Sequence, residues 1–483
     1  MKTLLVVPCL LLGACSINGF AAERPNIILM LSDDQGWDGL SVAMDDGVPL
    51  SKSDFYQTPN LEKMAASGMR FARAYSPAPV CSPTRMSLQT GLNPARTAWT
   101  KAAPVFTAAD GCKLIPPASR KDIQAEETTI AELLRSAGYA TAHYGKWHLR
   151  GGGPEAHGYD ESDGDTGNQD AEPFIDPNPV DIFGMGERAV KFMEKCHGEK
   201  KPFFIQLSYH ALHYSENALR ETIEKYAKLP AGRRHQDVER AAMTENLDTG
   251  VGRILDAVER LGLEGTTYVV YMSDNGSGGR GKVGSIAGGK GSLREGGIRV
   301  PMIVGGPGIK PGTVCKTPVS GTDLFVTWCA LAGVKAQLPD GVEGGALAPI
   351  WTGEADSVRR PEQGLVFHFP HYQSADGPSS ALVDGNHKLL KLYESGETML
   401  FDLDADPGER HDLSAVKPDL AKTLAGRLER RLREMGAMLP KPNPQFDPAK
   451  AAEAREKKGG KKDKSGGKPR RTDRKRSAGK PGR

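Results

Sequence analysis

Three runs that read as buried strands, the first of them continuously apolar and each closed by polar side chains, constrain this chain of 483 residues more than any other feature. Ile27-Ile28-Leu29-Met30-Leu31 ends in Ser32-Asp33-Asp34, Pro202 to Tyr209 ends in His210-Ala211-Leu212-His213, and Thr267 to Met272 ends in Ser273-Asp274-Asn275-Gly276. Apolar residues without alternation suit strands buried on both faces of a parallel sheet, and such sheets bind ligands in the crevice beyond the carboxyl ends of their strands. An α/β fold follows, with its carboxylates and imidazoles gathered at one end of the sheet. Thr129-Ile130-Ala131-Glu132 matches a capping box and predicts a packing helix that ends near Gly138. Met243, Leu247, Val251, Ile254, Val258 and Leu261 recur at helical spacing before Gly262, a core stripe rather than chemistry.

Cys81-Ser82-Pro83-Thr84-Arg85 continues through Met86 to Thr90 and stops at Gly91. Pro83, with a fixed φ and no amide hydrogen, suits the first turn of a helix, and Gly91 suits its end. Cys81 is thereby placed at a helix N-terminus, where unpaired amides and the helix dipole favour an anion. Arg85, one turn on, shares that face and brings a permanent cation to it. Taken alone, a cysteine in this setting is usually a buried thiol. Ala140 to Tyr144 is a further strand candidate and runs into Gly145-Lys146-Trp147-His148-Leu149. In extended chain Lys146 and His148 face one side. Gly151 to Pro179 reads as a long loop of the kind that lines substrate sites. Gly284 to Lys290 nearly matches a phosphate-binding loop, but residue 291 is Gly where Ser or Thr is needed, so a nucleotide site is rejected.

Cys81-x-Pro83-x-Arg85 followed by Gly91 resembles the signature of the type I sulfatases, members of the alkaline phosphatase superfamily. Gly145 to His148 resembles that family's second block, and Gly289-Lys290-Gly291 with Arg294 to Pro301 resembles the block whose Lys binds the sulfate. The resemblance implies a large mixed, mostly parallel sheet sandwiched by helices, with a smaller C-terminal α+β domain containing an antiparallel sheet. It also implies that Cys81 becomes formylglycine, through a formylglycine-generating or anaerobic sulfatase-maturating enzyme, and that Ca²⁺ sits on Asp33, Asp34, Asp274, Asn275 and the group at position 81. Those four side chains are all oxygen donors, which suits a hard cation rather than zinc. Arg85, Lys146 and Lys290 would offset charge on the sulfuryl group. One hydroxyl of the hydrated aldehyde would attack sulfur, His213 with Lys290 would protonate the leaving oxygen, and His148 would take the proton whose loss expels sulfate. The family places the acid at the second His of the 210–213 segment, usually after Pro. Leu212 replaces that Pro here, so His213 is assigned and His210 held in reserve.

The substrate implied is an aryl sulfate or a sulfated carbohydrate, with exo-desulfation of galactose or N-acetylgalactosamine as the expectation. His368, Phe369, His371 and Tyr372 suit stacking on sugar rings and suit a core equally. Two alternatives stand beside this: a phosphonate or phosphate ester hydrolase of the same superfamily, and a catalytically inactive glycan-binding protein that keeps Cys81 unmodified.

The ends of the chain carry their own information. Residues 1–22 read as a secretory signal, and Leu12-Gly13-Ala14-Cys15 resembles a bacterial lipoprotein box that would anchor the chain by a lipid at Cys15. Export to the periplasm, the cell envelope or the medium is expected. Cys112, Cys196, Cys315 and Cys329 are then four thiols able to pair. The expected division is a catalytic domain over 23–360, a small domain over 361–440 and a disordered basic tail over 441–483. From Ala451 onward there are 14 Lys or Arg against 4 Asp or Glu, so the tail supplies more than the whole net charge of +3 and the remainder is acidic. Such a tail suits contact with polyanions.

Overall fold

The computed structural model describes residues 24–102, 111–213, 217–278 and 286–451. Its central strand, Asn26–Ser32, is buried at every position and lies between Phe203–Ser208 and Thr267–Ser273, both parallel to it. Ala140–Gly145 and Glu161–Ser162 extend the parallel part. On the other side Met302–Gly305 runs antiparallel, Met69–Phe71 pairs antiparallel with it, and Thr313–Cys315 completes an eight-stranded mixed sheet.

The absence of alternation in the apolar runs has a direct cause. Ile28 and Met30 face one core, closed by helices Pro59–Ser67, Ile182–Gly198 and Val238–Arg260. Ile27, Leu29 and Leu31 face the other, closed by Cys81–Thr90, Ile130–Ser136 and Gly321–Ala332. Each fully buried side chain of this size contributes about 1.5–3 kcal/mol, so both faces reward an apolar residue. The capping box forms as expected: Thr129 Oγ1 accepts from the Glu132 amide at 3.3 Å, and Glu132 accepts from the Thr129 amide at 2.8 Å.

A second, antiparallel sheet joins Leu365–Phe369, Ser379–Asp384, His387–Leu392 and Thr398–Asp402. Helix Pro418–Glu434 covers one face with Leu424, Leu428 and Leu432. The other face, with Phe367, Phe369 and Leu390, packs on Tyr75, Val80, Leu293 and Ile298. A buried charge cluster crosses this junction. Lys388 Nζ lies 2.9 Å from both Glu295 Oε1 and Glu409 Oε1, and Tyr75 donates to Glu295 Oε2 at 2.9 Å.

Two sequence expectations are corrected here and one open reading is decided. The chain stays ordered past residue 440, because Lys441–Pro442 pairs with Leu114–Ile115 and the Asn443 side chain donates to Cys112 O at 2.8 Å. Cys112, Cys196, Cys315 and Cys329 are all free thiols, with Cys196 and Cys329 buried in different cores. His368, Phe369 and His371 are buried, so they are core rather than a sugar platform. Their polar atoms bond inward: His368 to Ser380 Oγ and Met438 O, His371 to Thr100 Oγ1. No helix among the described residues is long and apolar enough to cross a membrane. The expected signal and lipoprotein box, and the tail from 452, lie outside the described residues.

Replacing Lys388 by Ala leaves Glu295 and Glu409 facing each other with their shared cation gone. Breaking a buried ion pair from one side costs about 3–5 kcal/mol. Denaturant unfolding should show a loss of that size for Lys388→Ala, and a variant as stable as the parent would refute a structural role for the cluster.

Candidate active site

Strand register sets the site. Ser32 pairs with Ser273, and Ser208 pairs with Gly145, so four adjacent parallel strands end nearly level. The residues just beyond them, Asp33, Asp274, Lys146 and the 209–213 segment, emerge together. The ends are stitched by backbone bonds: Asp274 N to Ser32 O at 3.0 Å, Lys146 N to Ser208 O at 2.8 Å, Asp33 N to Ala211 O at 2.8 Å and Leu212 N to Asp33 O at 2.6 Å. Asp34 takes a left-handed conformation with φ 61°, which Asp tolerates better than most residues. Its amide then donates to Asp274 Oδ1 at 3.2 Å.

Helix Cys81–Thr90 delivers the thiol and Arg85, and its end is as expected: Gly91 has φ 70° and donates to Ser87 O at 2.8 Å. A side chain at Gly91 would meet the Phe325 ring at 2.6 Å. Cys81 Sγ lies 3.5 Å from Asp33 Oδ1. Arg85 grips Asp274 Oδ2 through Nη2 at 2.7 Å and Nε at 3.1 Å, and its Nη1 donates to Lys146 O at 2.5 Å. Lys146 Nζ donates to Asp33 Oδ2, and Lys290 Nζ lies 2.6 Å from Asp34 Oδ1. Asn275 Nδ2 donates to Asp34 Oδ1 at 2.7 Å, while its buried Oδ1 has no partner among the described residues. Side-chain atoms of Asp33, Asp34, Cys81 and Asp274 all lie within 4.8 Å of one another, and a ring nitrogen of His213 is equally close to Asp33 and Cys81.

Electrostatics follow from this crowding. Burial opposes ionisation of Asp33, yet Lys146, His213, Arg85 and Lys290 outweigh it and hold the carboxyl well below the usual range. Asp274 goes the other way, to about 6, through burial and the charge of Asp33. Burial and then Asp33 push the Cys81 thiol up to about 12. His148 falls to about 2 through burial and the charges of Lys146 and Arg85. Burial, only partly opposed by Asp33, takes His213 to about 4.

All ten residues expected at the site are therefore brought together. The extended run expected to carry Lys146 and His148 stops at Gly145, and His148 has φ 58°. Both side chains still reach the site: Lys146 donates to Asp33, and His148, whose amide donates to Thr166 O at 2.7 Å, lies within electrostatic reach of Asp33 and His213. His210 borders an adjoining recess with Asp163, Asp170 and Arg188, whereas His213 faces Cys81. The loop after Arg150 does line the approach: Thr166, Asn168 and Asp170 join Ser82, Lys101, Arg120 and His148 around an open cleft of about 610 Å³.

Sequence reasoning missed Arg240. It is 3% exposed in the first turn of helix Val238–Arg260, and donates to Asp34 O at 2.6 Å and Leu212 O at 3.2 Å. One guanidinium thus fixes both the carboxylate turn and the turn carrying His213. No local sequence signal marks it out, because its partners are backbone oxygens distant in the chain.

The fold recurs in solved structures. Ps i-CgsB in complex with k-i-k-neocarrahexaose superposes with a TM-score of 0.69 at 24% identity, covering 92% of this chain and 99% of that one. The chain belongs to the sulfatase family: the model described as Sulfatase matches residues 25–334, and that described as N-sulphoglucosamine sulphohydrolase, C-terminal, matches 289–437. It is similar to Arylsulfatase A of Homo sapiens, 30% identical over 84% of this chain and 86% of the human protein. It is likewise 32% identical to N-acetylgalactosamine-6-sulfatase of Rattus norvegicus, over 80% of this chain and 76% of that protein. The protein is a sulfuric ester hydrolase.

Arg240→Leu should lower kcat by about 10²-fold, because ångström-scale misplacement of catalytic groups costs that much. Turnover of 4-nitrophenyl sulfate within a factor of two of the parent would show that the two turns hold themselves.

Proposed function

We propose that the protein removes sulfate from an exposed galactose or N-acetylgalactosamine unit of a carbohydrate, using a formylglycine made from Cys81 and a bound calcium ion. The observation that carries this is the buried cluster of Cys81 with Asp33, Asp34 and Asp274, ringed by Arg85, Lys146 and Lys290. Calcium fits these residues: the donors are carboxylates plus Asn275 Oδ1, a buried oxygen with no other partner among the described residues. Asp33, Asp34, Asp274 and Asn275 would hold it, and it would offset negative charge on the sulfuryl group. A maturating enzyme would supply the oxidation of Cys81, and the hydrated aldehyde would supply both the hydroxyl that attacks sulfur and the second hydroxyl whose proton loss expels sulfate. The thiol itself is a poor nucleophile here, since burial and Asp33 keep it protonated.

The chain's own residues divide the remaining work. Arg85, Lys146 and Lys290 place three cations around the sulfuryl position. His213, beside Cys81, donates a proton to the leaving sugar oxygen. Burial and the charges of Lys146 and Lys290 keep it neutral, and an incoming anion favours its protonated form. His148, held low by burial and by Lys146, is the neutral acceptor for the second proton. The carbohydrate assignment is supported by the sugar sulfatases among the relatives and by a wide, polar cleft. Export and adhesion of the basic tail to polyanions accord with an extracellular sulfated glycan.

The active protein should contain an aldehyde at position 81 by peptide mass and about one calcium per chain by elemental analysis. Chelation should abolish turnover, and Asp274→Ala should prevent recovery on adding calcium back. Stoichiometric zinc without calcium, or sustained turnover by Cys81→Ser, would overturn the proposal.

Leaving-group dependence separates the two histidines. A sugar alkoxide needs a proton far more than a nitrophenolate does, and general acids contribute roughly 10² to 10⁴ in rate. His213→Ala should therefore depress sugar desulfation much more than 4-nitrophenyl sulfate hydrolysis, and His148→Ala should show less difference. Equal losses on both substrates would refute this division, and a selective loss in His210→Ala would move the acid to that residue.

A further inference from the structure

Lys101 is a charged side chain that the reaction described above does not use. It is 9% exposed and lines the cleft together with Ser82 and His148. Its backbone is pinned, with its amide donating to Ser119 Oγ at 3.1 Å and its carbonyl accepting from Trp99 Nε1 at 3.1 Å. The ammonium donates to the neutral Gln373 Oε1 and lies 5.3 Å from the centre of the Phe369 ring. No carboxylate among the described residues pairs with it, so donor capacity of its three N–H groups remains beyond the bond to Gln373. Burial, and then the charge of Lys290, bring it down to about 8, and no acid opposes them. The other cleft cations differ: Arg120 is clamped by Glu127 at 2.8 and 2.6 Å, and Lys121 and Arg150 are exposed.

Lys101 is also tied to the reaction centre. Gln373 packs so closely on Gly291 that a side chain there would meet it at 2.5 Å, and Gly291 has φ 83°. Gly291 follows Lys290, and its amide donates to Pro79 O at 2.8 Å, two residues before Cys81. Keeping an ammonium buried without a counterion is costly, and the cost is recovered when a bound anion completes it.

We propose that Lys101 is a second anion subsite, which accepts a carboxylate or a further sulfate carried on the same sugar or its neighbour while the first sulfate occupies the reaction centre. This rests on the carbohydrate reading and narrows it to substrates with two negative groups.

The test is competition against 4-nitrophenyl sulfate hydrolysis by the matured enzyme. The competitors are N-acetylgalactosamine 6-sulfate, N-acetylgalactosamine 4,6-disulfate, and glucuronate linked to N-acetylgalactosamine 6-sulfate. A charge-assisted contact predicts that one doubly anionic sugar has a Ki roughly 10- to 100-fold below the monosulfate. Which of the two it is identifies the anion as sulfate or carboxylate. Lys101→Met should erase that ratio and Lys101→Arg should keep most of it. A wild-type enzyme without the preference, a preference that survives Lys101→Met, or an equal loss for all three sugars would overturn the subsite. Failure of all three to compete while the aryl sulfate is hydrolysed would instead refute the carbohydrate reading, and the subsite with it.

Discussion

The structure depends on charge compensation at the ends of its buried strands. Asp33, Asp34 and Asp274 are carboxylates at or near zero exposure, and in isolation each would be held in its neutral form. They are kept tolerable by Lys146 on Asp33, Arg85 on Asp274 and Lys290 on Asp34, each from a different segment. Removing one partner of such a pair costs about 3–5 kcal/mol, so the segments bearing these charges are fixed in relative position. Burial and the charge of Asp33 still drive Asp274 towards about 6.

The same device recurs where the C-terminal sheet meets the main body. Lys388 brings its ammonium to Glu295 and Glu409, and Arg299, one helical turn after Glu295, donates to Ala72 O at 2.8 Å and stacks 3.9 Å from the Trp37 ring. Trp37 follows the Asp33–Asp34 turn by a few residues. The segment bearing Lys290 and Glu295 is thus held from the sheet side by Lys388 and from the core side by Arg299. The second sheet thus supports a segment that reaches the active site.

The central strands and the Cys81 helix were legible in the sequence because their signals are local, and the ten expected residues came from those signals together with the resemblance to the type I sulfatases. Ile27 to Leu31 has no polar position, Pro83 and Gly91 bracket one helix, and the carboxylates follow directly on apolar runs. What escaped was set by contacts distant in sequence. Arg240 serves backbone oxygens of Asp34 and Leu212, and nothing local to it distinguishes it from a solvated arginine. His368 and Phe369 could be surface or core on sequence alone, and the covering helix Pro418–Glu434 and the packing on Tyr75 decided for core. Four cysteines in a chain read as exported suggested pairing, but burial in separate cores keeps Cys196 and Cys329 apart.

Counting charge around the reaction centre leads from the site to its ligand. Three carboxylates are matched by Arg85, Lys146 and Lys290, so the inner cluster is close to neutral as it stands. A divalent cation held by those carboxylates would leave the centre with an excess of positive charge, and Lys101 at its rim adds to it. A sulfate monoester brings a single negative charge, less than this excess. In a low-dielectric pocket an unbalanced cation is stabilised far more by a bound counterion than it would be in water. The surplus therefore favours ligands with more than one anionic group, and Lys101 is the side chain through which that preference acts.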